Sequence, residues 1–249
     1  MDATIRRIAQ HAVLFCALRQ ESLNDAITEA LGDYSYDVDT LEQKFRFISD
    51  RGEATAKVES IASIAAEPAS VLWAWSPLLK DSGGTNDASL HIRSVGEQQG
   101  ISSLTTEEVP YTVDKQHDQG ELITMLAHDL GMLAVELLGP QTFYYPLSSG
   151  GPSRLVTLLS NVSVPVPMFS VDDFLIKLAR LLASGMVDDF DWSLSGLVRL
   201  RGWTSDSEQG PDGARRYTIT DENGRSRTLS ATFDDLNRVT QLNVTTGGN

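Results

Sequence analysis

The chain has 249 residues, of which 41% are hydrophobic and 22% are charged. This composition is ordinary for a globular protein, so it excludes wholesale disorder, and the length permits one large domain or two smaller ones. The 34 acidic residues outnumber the 20 basic residues and give a formal charge of −14, which repels phosphate groups and anionic lipids. Nucleic acids and membrane surfaces are therefore disfavoured as partners.

Two features of the sequence bear on its compartment. It has a single cysteine, Cys16, which excludes an intrachain disulfide and suits a reducing environment. No stretch approaches about 20 consecutive apolar residues, so we expect no transmembrane helix. Together these features predict residence in the cytoplasm.

The first third of the chain begins with a helical pattern and continues with strand patterns. Apolar side chains recur at intervals of three and four over residues 3–31, which predicts one amphipathic helix, or two helices joined near residues 20–22. Residues 34–38, 45–48 and 54–60 then alternate in polarity or size, which is typical of strands. We expect these strands to form an antiparallel meander.

Half of the four tryptophans lie in one apolar stretch, residues 68–77. Alternation predicts a strand with Trp73 and Trp75 on one face, and the flanking prolines fit strand ends. Burying two indoles removes ~150 to 250 Å² of surface each, so this strand should lie at the core of its domain. The small residues Ala54 and Ala56 are expected to make room for the tryptophans.

The middle of the chain adds two helices and two strands. A helix is expected from residue 86 or 87 to 99, and a strongly apolar and therefore buried helix over residues 121–138. Strands at residues 143–145 and 154–159 follow, joined across residues 148–152. They are expected to extend the first sheet.

The proline-spaced stretch at residues 161–167 is the best candidate for a domain boundary. We therefore predict an α+β domain over residues 1–165, with helices packed on an antiparallel sheet and a core strand carrying Trp73 and Trp75. A smaller α+β domain over residues 170–249 should consist of two helices followed by a β-meander.

The elements of the smaller domain have clear start and stop signals. A helix should start at the capping-box-like residues 170–173 and stop at Gly185, and a second should run from about Asp188 towards Trp203. The polar residues 205–213 are expected to form a loop. Three strands then follow, at residues 216–220, 228–233 and 239–244, and Asn223-Gly224 marks the turn between the first two.

The order of motifs resembles a known family. The motifs are a leading helix, an acidic turn into Tyr34-Ser35-Tyr36-Asp37, the strand Val71-Leu72-Trp73-Ala74-Trp75, a later helix and a strand with tyrosine. They resemble a family of uncharacterised bacterial proteins known only as a domain of unknown function, over roughly residues 1–165. Its hallmark is a Trp-x-Trp-Ala-Asn-like strand, where this chain continues Ser76-Pro77. The resemblance implies no activity, cofactor or catalytic residue.

Metal binding is not predicted, and neither is any cofactor. The four histidines, His11, His91, His117 and His128, lack the spacing that places two ligands on one helix face. His128 and Asp129 are the most suggestive titratable neighbours. Adjacent residues on a helix diverge by about 100° and do not easily share a ligand, so a polar stripe on an otherwise buried helix is the plainer explanation.

Four aromatic residues, Trp73, Trp75, Tyr144 and Tyr145, could line an apolar pocket with a few polar tips. Packing in the core is the alternative. With His128 and Asp129, these residues make up the candidate ligand-binding set.

The functional prediction is a non-enzymatic protein that binds another protein or a small ligand. The alternative is a hydrolase or transferase with an unrecognised site near His128 and Asp129.

Overall fold

The fold is α+β, as predicted, with six α-helices and 11 β-strands in the part of the chain that the computed structural model describes, residues 3–82, 87–113, 118–210, 213–235 and 237–245. The helices span Ala3–Leu31 (α1), Asp87–Gln99 (α2), Ser102–Thr105 (α3), Gln119–Leu138 (α4), Val171–Ala183 (α5) and Phe190–Arg201 (α6). The strands span Ser35–Asp39 (β1), Lys44–Ser49 (β2), Gly52–Ala65 (β3), Ser70–Trp73 (β4), Glu108–Pro110 (β5), Phe143–Ser148 (β6), Arg154–Ser160 (β7), Thr204–Gln209 (β8), Arg215–Thr220 (β9), Ser226–Phe233 (β10) and Val239–Thr245 (β11).

The chain divides into two units that are not contiguous in sequence. The first unit contains Met1–Ala9 and Gln20–Pro167, and the second contains Gln10–Arg19 and Met168–Asn249. The domain boundaries predicted from the sequence, 1–165 and 170–249, remain a prediction. No helix in the described ranges is long and apolar enough to cross a membrane.

Helix α1 is a single helix, which decides between the two predicted arrangements. It ends where Gly32 adopts a left-handed φ of 71° and donates its N–H to the Thr28 carbonyl at 2.8 Å. Glycine tolerates this conformation without a steric cost, so the helix stops at the predicted residue.

The first unit contains a seven-stranded antiparallel sheet built around the 14-residue strand β3. Strands β2 and β7 both pair with Lys57, and strands β4 and β7 both pair with Ala62, so β7 lies on one edge of β3 while β2 and β4 share the other. Strand β6 extends the sheet beyond β7, as predicted. Strands β1 and β5 pair with β2 and β4.

One face of this sheet packs against the C-terminal turns of α1. The core residues on this face are Leu23, Ile27, Leu31, Phe45, Phe47, Ala54, Ala56, Val58, Phe143, Leu147 and Leu159. Ala54 lies opposite Phe47, and Ala56 lies opposite Phe45. The small residues therefore make room for phenylalanines on the neighbouring strand, and their predicted pairing with the tryptophans is wrong.

The predicted tryptophan strand is shorter than expected. Strand β4 ends at Trp73, and Trp75 lies in the turn that follows. The Ser76 N–H donates to the Trp73 carbonyl at 2.9 Å, which reverses the chain direction before Pro77. Placing Trp75 on the strand was wrong, because a local turn overrides the apolar alternation.

Helix α4 covers the other face of the sheet. Asp118 caps its first turn by accepting the Glu121 N–H, and Gly139 ends it, close to the predicted bounds. Gly131 lets the helix approach strand β6 closely, since a Cβ atom there would lie 2.3 Å from the Tyr144 ring. The short elements α3 and β5 were not predicted.

The second unit combines α5 and α6 with a four-stranded antiparallel sheet in the order β11-β10-β9-β8. Ser170 and Asp173 form the predicted capping box of α5, and Asp189 caps α6. Gly196 of α6 packs against the backbone of α1, since a Cβ there would lie 1.7 Å from the His11 carbonyl oxygen.

Residues 205–213 were predicted to be a loop, and this is wrong for their first part. Strand β8 runs through Thr204–Gln209 and pairs with β9 along its whole length. All six of its side chains are polar and exposed. Strands are recognised in a sequence by the alternation of apolar and polar residues, and β8 has no apolar residue to alternate. Its conformation depends on pairing with the neighbouring strand.

Candidate functional site

Trp73 is a core residue. It is fully buried, and its indole Nε1 donates to the Ser103 carbonyl oxygen at 2.9 Å. Its position on β4 is fixed by pairing with Ala62 of β3. Because the indole is enclosed and its one donor is already bonded, Trp73 has neither exposed surface nor an available hydrogen-bond donor for a ligand.

Trp75 is also buried, with 5% of its surface exposed. Its backbone N–H donates to the Ser89 hydroxyl at 3.1 Å, and that hydroxyl donates to the Ile61 carbonyl. The Arg93 guanidinium lies over the indole, 4.6 Å from the ring centroid. Among the described residues, the indole Nε1 has no hydrogen-bond partner.

His128 and Tyr144 meet at the surface of α4. The His128 Nδ1 atom lies 3.0 Å from the Tyr144 hydroxyl, and the two rings are edge to face with centroids 5.7 Å apart. The main chain of Tyr144 is held in turn by Gln20, whose side-chain amide donates to its carbonyl oxygen at 2.7 Å. Burial of the imidazole lowers the pKa of His128, so the neutral ring is favoured at neutral pH.

Asp129 points away from its neighbour His128, as the helical geometry requires. Its side chain is fully buried, and it pairs with Arg6 of α1 through an Nη1 to Oδ1 distance of 2.7 Å. A buried carboxylate held by a cation is a structural group, because the pair offsets the cost of removing the charge from water.

Tyr145 belongs to an aromatic cluster on the α1 face of the sheet. Its ring lies 5.3 Å from Tyr36 and 5.0 Å from Phe45, and Phe45 also contacts Phe47 at 4.7 Å. Burial, together with the neighbouring hydroxyls of Tyr36 and Tyr34, raises the pKa of Tyr145 to about 12. These ring contacts hold the cluster together, and Tyr36 within it is 46% exposed.

Of the six predicted residues, the structure brings His128 and Tyr144 into direct contact. Tyr144 and Tyr145 are consecutive on β6, so they lie on opposite faces of the sheet. Trp73 and Trp75 lie at the β4 end, where their contacts are with α2, α3 and β3. Ligand binding by the set remains a prediction.

No group of three or more potential metal ligands comes together among the residues that the structure describes. Three of the histidines, His11, His91 and His128, are within the described ranges, whereas His117 lies outside them. Cys16 is buried and is not part of a disulfide.

The second unit contains a cavity of about 690 Å³ that the sequence did not indicate. It is partly open to solvent and lies where the end of α5 and the start of α6 face the β10–β11 turn. Its apolar wall is made by Leu182, Val187, Phe190 and Val239. Its polar wall is made by Asp188, Asp234, Asn237, Arg238 and Thr240.

The polar wall of this large cavity is held by the β10–β11 turn. Asp234 accepts the backbone N–H of Arg238 at 2.9 Å and its guanidinium Nε at 2.8 Å. The Asn237 N–H donates to the Asp234 carbonyl at 2.9 Å, and Asn237 has a left-handed φ of 59°. These hydrogen bonds preorganise the polar wall, so the binding of a ligand would not have to order the turn.

Acidic residues beside this cavity have local structural roles, since Asp189 caps α6 and Asp234 closes the β10–β11 turn. The cavity itself could not be inferred, because its two walls are about 50 residues apart in the sequence and no local pattern joins them.

A second, smaller cavity of about 260 Å³ lies between α6, β8 and β9. It is lined by Leu194, Ser195, Ser205 and Ser207, and by a polar triad of Asp191, Arg215 and Tyr217. Within the triad, Arg215 Nη1 donates to Asp191 Oδ2, and the Tyr217 hydroxyl donates to Oδ1 of the same carboxylate. Burial and the hydrogen bond to Asp191 raise the pKa of Tyr217, so it stays protonated.

The comparisons with known proteins concern mainly the first unit. Residues 6–162, more than half of the chain, match the model of the Family of unknown function (DUF6882). No curated protein and no solved structure matches the chain. The chain therefore belongs to the Family of unknown function (DUF6882).

Proposed function

We propose that the protein is a non-enzymatic binding protein and that its second unit holds a small organic ligand in the large cavity. The observation that carries this proposal is the volume of about 690 Å³. This volume falls within the ~300 to 1,000 Å³ typical of ligand pockets. An apolar wall facing a few fixed polar groups is also the usual composition of such pockets.

The charges on the polar wall define the class of ligand. Asp188 and Asp234 contribute two negative charges, and Arg238 contributes one positive charge. The net charge is negative, so an anionic ligand is disfavoured. The favoured ligand is neutral or cationic, with an apolar part that packs on Phe190 and a polar group within reach of the Asn237 amide.

A hydrolase or transferase at His128 and Asp129 is not favoured. Asp129 is fully buried and paired with Arg6, and His128 is bonded to the Tyr144 hydroxyl on another face of α4. A catalytic acid and base must both reach the same substrate atom or its neighbour. These two side chains do not converge on one point.

The test is a thermal-shift titration with two matched probes, hexylamine and hexanoate. Hexylamine should raise the melting temperature and hexanoate should not. At ten times its dissociation constant a ligand adds about 1.4 kcal/mol, which corresponds to a rise of about 3 to 6 °C for a chain of this size. No shift with the amine, or an equal shift with both probes, would contradict the proposed site.

Two tryptophan substitutions make the site assignment specific. Val187→Trp should fill the cavity and remove the shift. Val244→Trp is the matched control, because Val244 is an exposed valine of β11 in the same unit and does not line the cavity. A shift that survives in Val187→Trp would place the ligand elsewhere.

A cytoplasmic location is part of this proposal. The support is the single cysteine, Cys16, since a chain with one cysteine has no intrachain disulfide and suits a reducing compartment. Fractionation of the producing cells, followed by detection of the protein, checks it.

A further inference from the structure

The small cavity exists because strand β8 breaks the usual pattern of a sheet that packs on helices. Residues directly opposite each other on paired strands share a face of the sheet. Ser205 lies opposite Ile219, and Ser207 lies opposite Tyr217. Ile219 and Tyr217 are buried, so the two serines lie on the face of the sheet that these residues share, although both serines are themselves exposed to solvent.

Apolar side chains normally fill inward positions, because they exclude water from the space beneath the helix. Here the two serines leave that space open, and it forms the cavity against Leu194 and Ser195 of α6. Substitutions at such positions are among the easiest routes to higher stability. Places where a sequence gives up packing without a local reason tend to be functional sites.

The lining of the small cavity is polar but has no net charge. Asp191 and Arg215 form an ion pair, and Tyr217 stays neutral. The serines supply hydroxyls that donate and accept. Such a lining matches a ligand with many uncharged donors and acceptors and does not match an ion.

The ion pair of Asp191 and Arg215 also matches the geometry of adjacent hydroxyl groups. A guanidinium has several N–H donors in a fixed fork, and a carboxylate has two oxygens with further lone pairs. Adjacent hydroxyls of a sugar or polyol can bond to both groups at once. The volume of about 260 Å³, in a cavity that is open to solvent, has room for one such ring.

From these observations we propose that the small cavity binds a single polyhydroxylated ring, such as a monosaccharide or a cyclitol. The site is separate from the large cavity, and its occupancy does not depend on a ligand there. The Ser195 hydroxyl completes the wall, held by donation to the Trp192 carbonyl at 2.8 Å and by His11 Nε2 at 3.0 Å.

The experiment uses the full chain and three probes, methyl glucoside, myo-inositol and cyclohexanol, with saturation-transfer NMR and amide shift mapping. Methyl glucoside, myo-inositol or both should bind and shift amides of α6, β8 and β9. Cyclohexanol, with one hydroxyl, should bind at least tenfold more weakly. Absence of binding by both polyols, or equal binding of cyclohexanol, would overturn the proposal.

Leucine substitutions on the two faces of β8 locate the site. Ser207→Leu fills the cavity, so it should abolish polyol binding while raising the melting temperature. Thr204→Leu is the control on the outer face, where Thr204 lies opposite Thr220, and it should leave binding unchanged. Polyol binding that persists in Ser207→Leu would overturn the assignment.

Two further variants keep the proposal falsifiable. If Ser207→Leu does not fold, Arg215→Lys preserves the charge but removes the fork, and it should weaken polyol binding at least tenfold. Val187→Trp, which fills the large cavity, should leave polyol binding intact. Loss of polyol binding in Val187→Trp would place the polyol in the large cavity and overturn this inference without affecting the hexylamine result.

Discussion

The two units of the protein carry similar numbers of basic residues but very different charges. The first unit has ten basic and 22 acidic residues, for a formal charge of −12, whereas the second has ten basic and 12 acidic residues, for a charge of −2. The acidity of the whole chain is therefore a property of the first unit. The second unit is nearly neutral, which agrees with the uncharged or weakly cationic ligands proposed for its cavities.

Ion pairs of different burial occur in the protein. In the second unit, Arg227 pairs with Asp172, whose side chain is 41% exposed. The first unit places Asp129 at full burial against Arg6. Exposed pairs contribute ~0 to 1 kcal/mol, whereas breaking a buried pair costs about 3 to 5 kcal/mol.

The two units also differ in the close helix contacts that their glycines allow. Each unit has a helix that approaches a neighbour through a glycine, Gly131 in the first and Gly196 in the second. Gly131 faces the side chain of Tyr144. Gly196 faces the His11 carbonyl, and a backbone cannot move without its helix.

The largest expected effect is therefore in the second unit. Gly196→Ala should destabilise the protein by about 3 kcal/mol or more, because the new methyl group overlaps main-chain atoms. Urea denaturation gives the free energy of unfolding, and amide exchange in α6 should accelerate. An unchanged midpoint would mean that α1 and α6 can separate without cost.

Arg6→Met should cost about 3 kcal/mol, because it leaves the Asp129 carboxylate buried without its cation. Arg227→Met is the matched control, since it removes an accessible pair in the other unit and should cost at most about 1 kcal/mol. The difference between the two urea midpoints measures how much more the buried pair contributes to stability than the accessible pair. Equal losses of stability in the two variants would contradict this prediction.

Gly131→Ala should cost about 2 kcal/mol by overpacking against Tyr144. Combining it with Tyr144→Ala should cost less than the sum of the two single changes, because the ring that causes the overlap is gone. Additive costs in urea denaturation would show that the helix itself, rather than the ring, resists the methyl group.

The smallest effect concerns pH. Burial lowers the pKa of His128 in the folded state, so the unfolded chain binds its proton more readily. Stability should therefore be complete above the unfolded value of about 6.5, fall as the pH drops below it, and level off below the folded value. His128→Gln should flatten this part of the curve of melting temperature against pH, and an unaltered slope would exclude His128 as its source.

Local patterns predicted much of the fold. The apolar spacing of α4, the capping box at Ser170 and the stop at Gly32 each act within a few residues, and the structure agrees with all three. The course of the chain after Trp73 could not be predicted in the same way, because a turn competes with alternation there.

The candidate sites were harder to predict, since they depend on distant residues. Tyr144 and His128 meet because α4 packs on β6. Tyr144 and Tyr145 are adjacent in the sequence, and consecutive residues of a strand lie on opposite faces of the sheet. Strand β8 has no apolar residue, so its polar composition indicated a loop. The polar composition that concealed strand β8 in the sequence also leaves the small cavity unfilled.

Helix α1 has a consequence for synthesis of the chain. Its ten residues Gln10–Arg19 belong to the unit that otherwise begins at Met168. During translation these residues emerge before their packing partners, which follow only after nearly 150 residues of the other unit. Fragments cut at the predicted boundary near residue 165 would test this order, because the C-terminal fragment would lack a segment of its own core until the N-terminal fragment is added back.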